Sequence, residues 1–211
     1  MSLNNWCIEK LSNHDKVDSV VELTNELIKI TNVNGGEFIV LVKSEERSTI
    51  ESVSGVDVGK IDFLLNIKKE AYIDGQLLQL GSSAGFAVGG LGDLFSALND
   101  RDISTYISAE MSFIIRGLSQ HTKVTGLERL DNRRFRVQRA GLDSVTILAL
   151  NDYDFTAESV RSGIEKYVEF DAILTSNPNC RRTGNCEMVA ESAGVRILSW
   201  GELLGQLNRA W

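Results

Sequence analysis

The chain has 211 residues, of which 43% are hydrophobic and 24% charged, and its formal net charge is -7. This is the composition of an ordinary globular protein, and the length allows one large domain or two small ones. No apolar run approaches the ~20 residues of a membrane span, and the N-terminal residues lack the apolar core of a signal peptide. Three cysteines without paired spacing are typical of a reducing compartment. We therefore expect a cytoplasmic protein that uses neither a membrane nor disulfides.

The distribution of charge is more informative than its sum. Between Ile115 and Ala140 the chain has seven Lys and Arg residues but only two Asp and Glu residues, so this segment is +5 and the remainder -12. A basic segment on an acidic body can direct one surface toward phosphates. The alternative is a solvated hairpin whose arginines pair with nearby carboxylates.

The N-terminal part is predicted to be an α/β scaffold. Helical spacing of its valines and leucines predicts a helix from about Lys16 to Ile30. The apolar centre of residues 36–44 predicts a strand, and the polar residues 45–59 an edge strand and a loop. Residues 61–81 resemble a hairpin that turns at Asp74-Gly75.

The segment from Gly81 to Gly92 contains five glycines in twelve positions. Glycine-rich turns before helices can hold phosphates, but neither GxGxxG after a strand nor GxxxxGK[ST] is present, which favours a packed or flexible connection. A short helix is expected over 93–98, followed by a polar break. We place a domain boundary here, with an N-terminal region of residues 1–101 and a second domain of residues 102–211, and we detect no internal repeat.

The C-terminal part alternates between strand and helix signals. Two antiparallel strands, joined at Asp131-Asn132, follow a long helix that begins near Ser104. Apolar runs at 145–150 and 172–174 are typical of strands covered on both faces, as in parallel sheets. Helices capped by Thr156, Thr183 and Ser199 follow in turn. The predicted order from Ser104 is α-β-β-β-α-β-α-β-α, with a mixed sheet.

Polar side chains follow each predicted parallel strand. The carboxyl ends of parallel strands form the usual ligand crevice of an open sheet. This places Asn151, Ser176, Asn177 and Asn179 at one edge, with Arg181 and Arg182 beside them. These groups could hold a nucleotide or a backbone phosphate, or they could simply cap and turn the chain.

This order and several segments resemble the restriction-endonuclease-like (PD-(D/E)xK) superfamily, and its Mrr type in particular. The resemblance rests on the strand 172–177, the capped helix that contains Glu187, Ala190, Glu191 and Ala193, the strand Gly194-Val195-Arg196-Ile197, and the closing helix at Glu202-Leu203-Leu204. It covers roughly the second half of the chain. It implies an α/β nuclease-like fold and engagement of nucleic acid.

The resemblance also implies an E-x-K motif on the third strand and acidic ligands for Mg²⁺. The strand Ile147-Leu148-Ala149-Leu150-Asn151 supplies neither glutamate nor lysine. Remaining catalytic candidates are Glu110, where some members carry an acid, and Asp143, Asp152 and Asp154, from which a metal site could be assembled. We therefore expect a member without the standard hydrolytic centre, and Mg²⁺ as a cofactor only if nuclease activity is retained.

Three functions follow as hypotheses. The first is nucleic-acid binding through Arg133, Arg134, Arg136, Arg139, Arg181 and Arg182. The second is a nucleotide-binding or small-molecule-binding protein, an enzyme or a sensor, that uses the polar strand edge. The third is an oligomeric interaction module in which the apolar segment 81–98 joins subunits of a homo-oligomer.

Overall fold

The structure, a computed structural model, describes residues 3–99 and 102–211. It divides the chain into two compact units, Met1–Ser108 and Ala109–Trp211. The sequence-based boundary lies a few residues earlier, between residues 101 and 102. No helix within the described ranges is long and apolar enough to cross a membrane. Both units are α/β, as predicted.

The first unit is built on a five-stranded mixed sheet with the order β1-β2-β3-β5-β7. Strands β1, β2 and β3 are antiparallel, and β3, β5 and β7 are parallel. A separate pair of two-residue strands, β4 and β6, is also parallel. The elements are α1 (Leu3–Ser12), β1 (Val17–Glu22), β2 (Leu27–Asn32), β3 (Glu37–Lys43), β4 (Arg47–Ser48), β5 (Phe63–Asn66), β6 (Tyr72–Ile73), α2 (Gly75–Ala84), β7 (Ala87–Gly89) and α3 (Leu91–Ala97), with 3-10 turns at Ile50–Val53, Val58–Lys60 and Ile103–Thr105.

The second unit has its own five-stranded mixed sheet with the order β14-β12-β10-β9-β8. Strands β8, β9 and β10 are antiparallel, and β10, β12 and β14 are parallel. Strands β11 and β13 form a short parallel pair. The elements are α4 (Ala109–Ser119), β8 (Val124–Arg129), β9 (Arg134–Arg139), β10 (Leu142–Leu150), β11 (Asp154–Phe155), α5 (Ala157–Lys166), β12 (Ala172–Thr175), β13 (Arg181–Arg182), α6 (Gly184–Ser192), β14 (Arg196–Leu198) and α7 (Trp200–Gln206).

The sequence-based order of the second unit agrees with the observed elements, apart from the short β11 and β13. Thr156 caps α5 with its hydroxyl group, and Gly194 after α6 has a φ of 70°, the left-handed conformation expected there. The main shift is the first helix, which begins at Ala109 rather than near Ser104.

Two predictions for the first unit were wrong, and a third was correct only in part. The segment predicted as a helix from Lys16 to Ile30 forms strands β1 and β2. The polar residues 45–59, predicted as an edge strand and a loop, form the two-residue strand β4 followed by two 3-10 turns. Asp74-Gly75 is not a hairpin turn, because the Asp74 carboxylate accepts a hydrogen bond from Gln76 N at 2.8 Å and caps α2.

No internal repeat is detected in the sequence, but the two units share one topology. Each unit begins with a helix and three antiparallel strands, continues through two parallel strands, and has a helix between and after those last two strands. Each unit also adds a two-residue parallel pair at corresponding places, β4 with β6 and β11 with β13. The same strand order and directions therefore occur twice.

The strands position buried side chains on both faces of each sheet. In the second unit one face packs Phe135, Ile147 and Leu174 against α4 and α7. The opposite face places Leu148 and Leu150 against α5, where a Cβ atom on Gly163 would lie 3.2 and 3.4 Å from them. Both faces of β10 are covered. The polar residues that follow this strand, such as Asn151 and Asp152, therefore lie at its carboxyl end.

Both edge strands of the antiparallel halves carry a β-bulge. In β1 the pairing shifts between Val17 and Ser19, and in β8 it shifts between Val124 and Gly126. A bulge adds one residue to one strand and increases its local twist.

Candidate functional site at the carboxyl edge of the second sheet

Glu110, in the first turn of α4, is the centre of the polar cluster at this edge. Its two carboxylate oxygens accept hydrogen bonds from Arg133 Nη1 at 2.9 and 3.0 Å. Asn151 Nδ2 donates to the same carboxylate at 3.2 Å, and Ser176 Oγ donates a short hydrogen bond. The side chain of Glu110 is 19% exposed. Three elements that are distant in sequence therefore converge on one carboxylate.

The predicted strand ends do lie together at this edge. Most of their polar side chains, however, form hydrogen bonds with other residues of the chain. Asn151 and Ser176 are both engaged by Glu110. Asn177 Oδ1 accepts a hydrogen bond from Asn179 N at 2.9 Å and so organises the following turn. Of the four ligand-binding candidates, Asn179 is the one whose side chain lies exposed without such a role.

The four catalytic candidates do not form a single cluster. Asp143 lies near the start of β10, and Asp152 follows its end, so the strand itself separates them by roughly 25 Å. Asp152 Oδ1 accepts from Ser159 Oγ at 3.0 Å, next to the cap of α5. Asp154 is exposed on β11, in register with Arg181. Only Glu110 therefore lies within the cluster at the strand ends.

The residues present do not fit the magnesium site that the resemblance implies. The strand Ile147-Leu148-Ala149-Leu150-Asn151 contains neither glutamate nor lysine, and its leucines offer no oxygen ligand. The oxygens of Glu110 are already occupied by Arg133 and its neighbours. Within residues 3–99 and 102–211, no group of three or more His, Cys, Asp or Glu side chains is placed to hold a metal ion.

The predicted phosphate-binding arginines do not share one surface. Along β9, Arg134 and Arg136 point to one face, whereas Arg139 is 5% exposed on the other. Arg139 donates to the carbonyl oxygens of Asp143 and Arg209 at 2.8 and 2.7 Å, and its guanidinium stacks on Trp211. Burial lowers the pKa of Arg139.

Most of these arginines also have carboxylate partners, which favours the hairpin alternative of the sequence analysis. Arg133 pairs with Glu110, as described above. The other pairs are Arg134 with Asp131 at 2.7 Å, Arg136 with Glu128 at 3.2 Å, and Arg182 with Glu187 at 3.3 Å and Glu202 at 2.9 Å.

Arg181 differs from the other five arginines. It is exposed, and no carboxylate in the described part of the chain lies within ion-pair distance of it. Its guanidinium lies 5.2 Å from the centroid of the Tyr153 ring, which is 49% exposed. The backbone fixes this pair, because Arg181 N donates to Tyr153 O at 2.7 Å. The sequence analysis missed Tyr153, although an aromatic residue in the polar segment after β10 was a usable signal.

The cap of α7 gives this region a measurable pH dependence. Ser199 N donates to Glu202 Oε2 at 2.7 Å, and hydrogen bonds from Ser199, followed by Arg182, lower the pKa of Glu202 from 4.5 to about 2. A lowered pKa stabilises the folded chain above pH 4.5, and this contribution is lost as the pH falls toward 2. Because Glu202 is 53% exposed, we expect at most about 1 kcal/mol.

Urea unfolding at pH 6 and pH 3 checks this expectation. The variant Glu202→Gln should be less stable than the wild type at pH 6, and the difference should shrink at pH 3. Glu191→Gln, at an exposed position on α6, is the control and should change neither midpoint. A difference for Glu202→Gln that is the same at both pH values would contradict the assignment.

Comparison of the chain with protein-family models, with curated proteins and with solved structures returned no match.

Proposed function

We propose that the second unit is a restriction-endonuclease-like domain that binds nucleic acid at the carboxyl edge of its sheet without hydrolysing it. The observed order α4-β8-β9-β10-α5-β12-α6-β14-α7 supports the fold assignment. The leucines at 148 and 150 and the occupied carboxylate of Glu110 support the loss of hydrolysis.

The observation that carries the binding proposal is the exposed pair of Tyr153 and Arg181. An exposed aromatic ring can stack on a base, and an adjacent guanidinium without a carboxylate partner can contact a phosphate. Both lie beside the turn of Asn177 and Asn179, whose amides add donors and acceptors. Stacking platforms with arginine are typical of single-strand binding, which makes single-stranded nucleic acid the favoured ligand.

The distribution of charge between the two units also supports a nucleic-acid site on the second unit rather than on the first. The first unit has nine Lys and Arg against sixteen Asp and Glu, whereas the second has thirteen of each. The net charge of -7 is therefore confined to the first unit by sequence. A neutral surface approaches a polyanion at a lower electrostatic cost than an acidic one.

The experiment is fluorescence anisotropy of the full-length chain with a labelled single-stranded oligonucleotide and a labelled duplex at several salt concentrations. Tyr153→Ala is expected to weaken single-strand binding about tenfold. Arg181→Gln is expected to weaken it and to reduce the salt dependence by about one phosphate contact. The control is Arg136→Gln, whose partner is Glu128, and it should have little effect.

Three results would contradict the proposal. If Arg136→Gln and Arg181→Gln lost affinity equally, the phosphate contact would have to lie on the β8–β9 hairpin instead. If the chain bound neither oligonucleotide, the proposed function would be wrong. Cleavage of the probe after Mg²⁺ addition would show that the hydrolytic centre had been misassigned. The nucleotide-binding and interaction-module hypotheses have no comparable observation, since Asn151 and Ser176 are already bound to Glu110.

A further inference from the structure

We infer that the chain is an internal duplication, in which the two units are copies of one ancestral domain and the carboxyl edge of the parallel strands occurs twice, with a different ion pair in each copy. This inference does not depend on the proposed nucleic-acid function. A shared topology alone could arise independently, but the two units also share details that the topology does not require.

The registers of the antiparallel strands match at an offset of 107 residues. Val20 pairs with Ile30 in the first unit, and Leu127 pairs with Val137 in the second. The bulges match at the same offset, since Val17 and Ser19 correspond to Val124 and Gly126. Bulges are conserved within protein families, so their coincidence supports a common origin. The second unit has a further register shift between Leu142 and Val145 that the first unit lacks.

The turn after the first helix repeats in sequence as well as in structure. The first unit has Leu11-Ser12-Asn13-His14-Asp15-Lys16-Val17, and the second has Leu118-Ser119-Gln120-His121-Thr122-Lys123-Val124. The chain has only two histidines, and they occupy the same place in this turn. Each accepts a hydrogen bond at Nδ1 from the backbone N of the lysine two residues later, at 3.3 and 3.2 Å.

The segment after the third strand of each unit repeats a second short motif. The first unit has Thr49-Ile50-Glu51-Ser52-Val53, and the second has Thr156-Ala157-Glu158-Ser159-Val160. In each unit the serine Oγ accepts from the threonine N, at 3.0 and 3.3 Å. Each serine also donates to an acid seven residues earlier, Glu45 in the first unit and Asp152 in the second.

The parallel halves match at an offset of 109 residues. Asp62 and Asp171 each precede a parallel strand, and their carboxylates accept from Ile39 N at 2.7 Å and from Thr146 N at 2.6 Å. Ser83-Ala84-Gly85 and Ser192-Ala193-Gly194 end equivalent helices, with glycine φ values of 84° and 70°. The offset therefore changes from 107 to 109 residues between these matched parts, so the second copy is two residues longer there. This is the region in which the second copy forms the full helix α5.

Each copy has an ion pair at the strand edge, but the charge at one shared position, Glu26 or Arg133, is opposite and its partner comes from a different element. In the first copy Glu26 pairs with Lys43 Nζ at 2.7 Å. The equivalent positions in the second copy are Arg133 and Leu150, and Arg133 instead pairs with Glu110 on the helix. The first copy has Leu3 in the place of Glu110. The first copy has Lys43 at the end of its third strand, where the second copy has Leu150.

This exchange gives a direct test of positional equivalence in the full-length chain. Glu26→Arg places two cations together and should destabilise the first unit. Adding Leu3→Glu should rebuild the helix-to-strand pair of the second copy and recover about three- to tenfold in the unfolding equilibrium constant. Asn5→Glu with Glu26→Arg is the control, because a residue two positions along the helix does not share its face.

The reciprocal exchange, made in the second unit, provides an independent test if a variant of the first unit does not fold. Arg133→Glu places two carboxylates together in the second unit, and Leu150→Lys should recover stability, whereas Ser144→Lys near the opposite end of β10 should not. Urea unfolding measures both cycles. Rescue beyond the control in either unit supports the duplication, and the absence of rescue in both overturns it.

Discussion

Leu174→Ala is expected to lower the free energy of unfolding by about 2–5 kcal/mol, because it deletes fully buried methyl groups and leaves a cavity. Leu174 is 0% exposed on the central parallel strand β12. Its counterpart in the first unit, Leu65, is also 0% exposed and belongs to that unit's own core. Leu65→Ala is therefore expected to cost a similar amount.

Urea unfolding followed by circular dichroism measures both losses. The control is Met188→Ala, since Met188 is 63% exposed on α6 and a surface truncation should stay within about 0.5 kcal/mol. Losses below about 1 kcal/mol for both leucines would mean that these strands are not central to their cores.

Asp131→Ala is expected to cost about 3 kcal/mol or more, because it leaves several buried donors without an acceptor. Asp131 is 0% exposed. Its Oδ1 accepts from the backbone N of Arg133 at 2.8 Å and of Arg134 at 2.7 Å, and its Oδ2 accepts from Arg134 Nε at 2.7 Å. One carboxylate therefore holds the whole β8–β9 turn.

Two comparisons make this prediction specific. Asp131→Asn keeps one oxygen acceptor and should cost less than Asp131→Ala. Glu128→Ala removes a carboxylate from the same hairpin whose partner Arg136 is half-exposed, so it should cost less than about 1 kcal/mol. Equal costs for Asp131→Ala and Glu128→Ala would show that the buried hydrogen bonds do not hold the turn.

The second unit was largely predictable from sequence because its strands are apolar runs bounded by caps. The first unit was not, and β1 shows why. Its bulge places Val17 and Val20 on the same side, so that burial recurs every third residue instead of every second. That spacing is the one by which a helix is recognised, and the bulge itself leaves no sequence signal.

The candidate site was predictable only in part. The strand ends gave the right edge of the sheet, because chain order alone determines where they lie. The ion-pair partners could not be predicted from chain order, because Glu110 and Arg133 are 23 residues apart and Arg182 and Glu202 are 20 residues apart. The repeat escaped detection because the matching residues, such as His14 and His121, are few and lie mainly at turns and caps.

The paired bulges have a consequence for behaviour at high concentration. An open sheet edge offers unpaired amides and carbonyls to a strand of another molecule, which is one route to fibrillar aggregation. In each unit one outer strand is interrupted by its bulge, and the other, β7 or β14, is only three residues long. Both devices shorten the template available to a foreign strand, so concentrated solutions of the folded chain should resist edge-to-edge assembly.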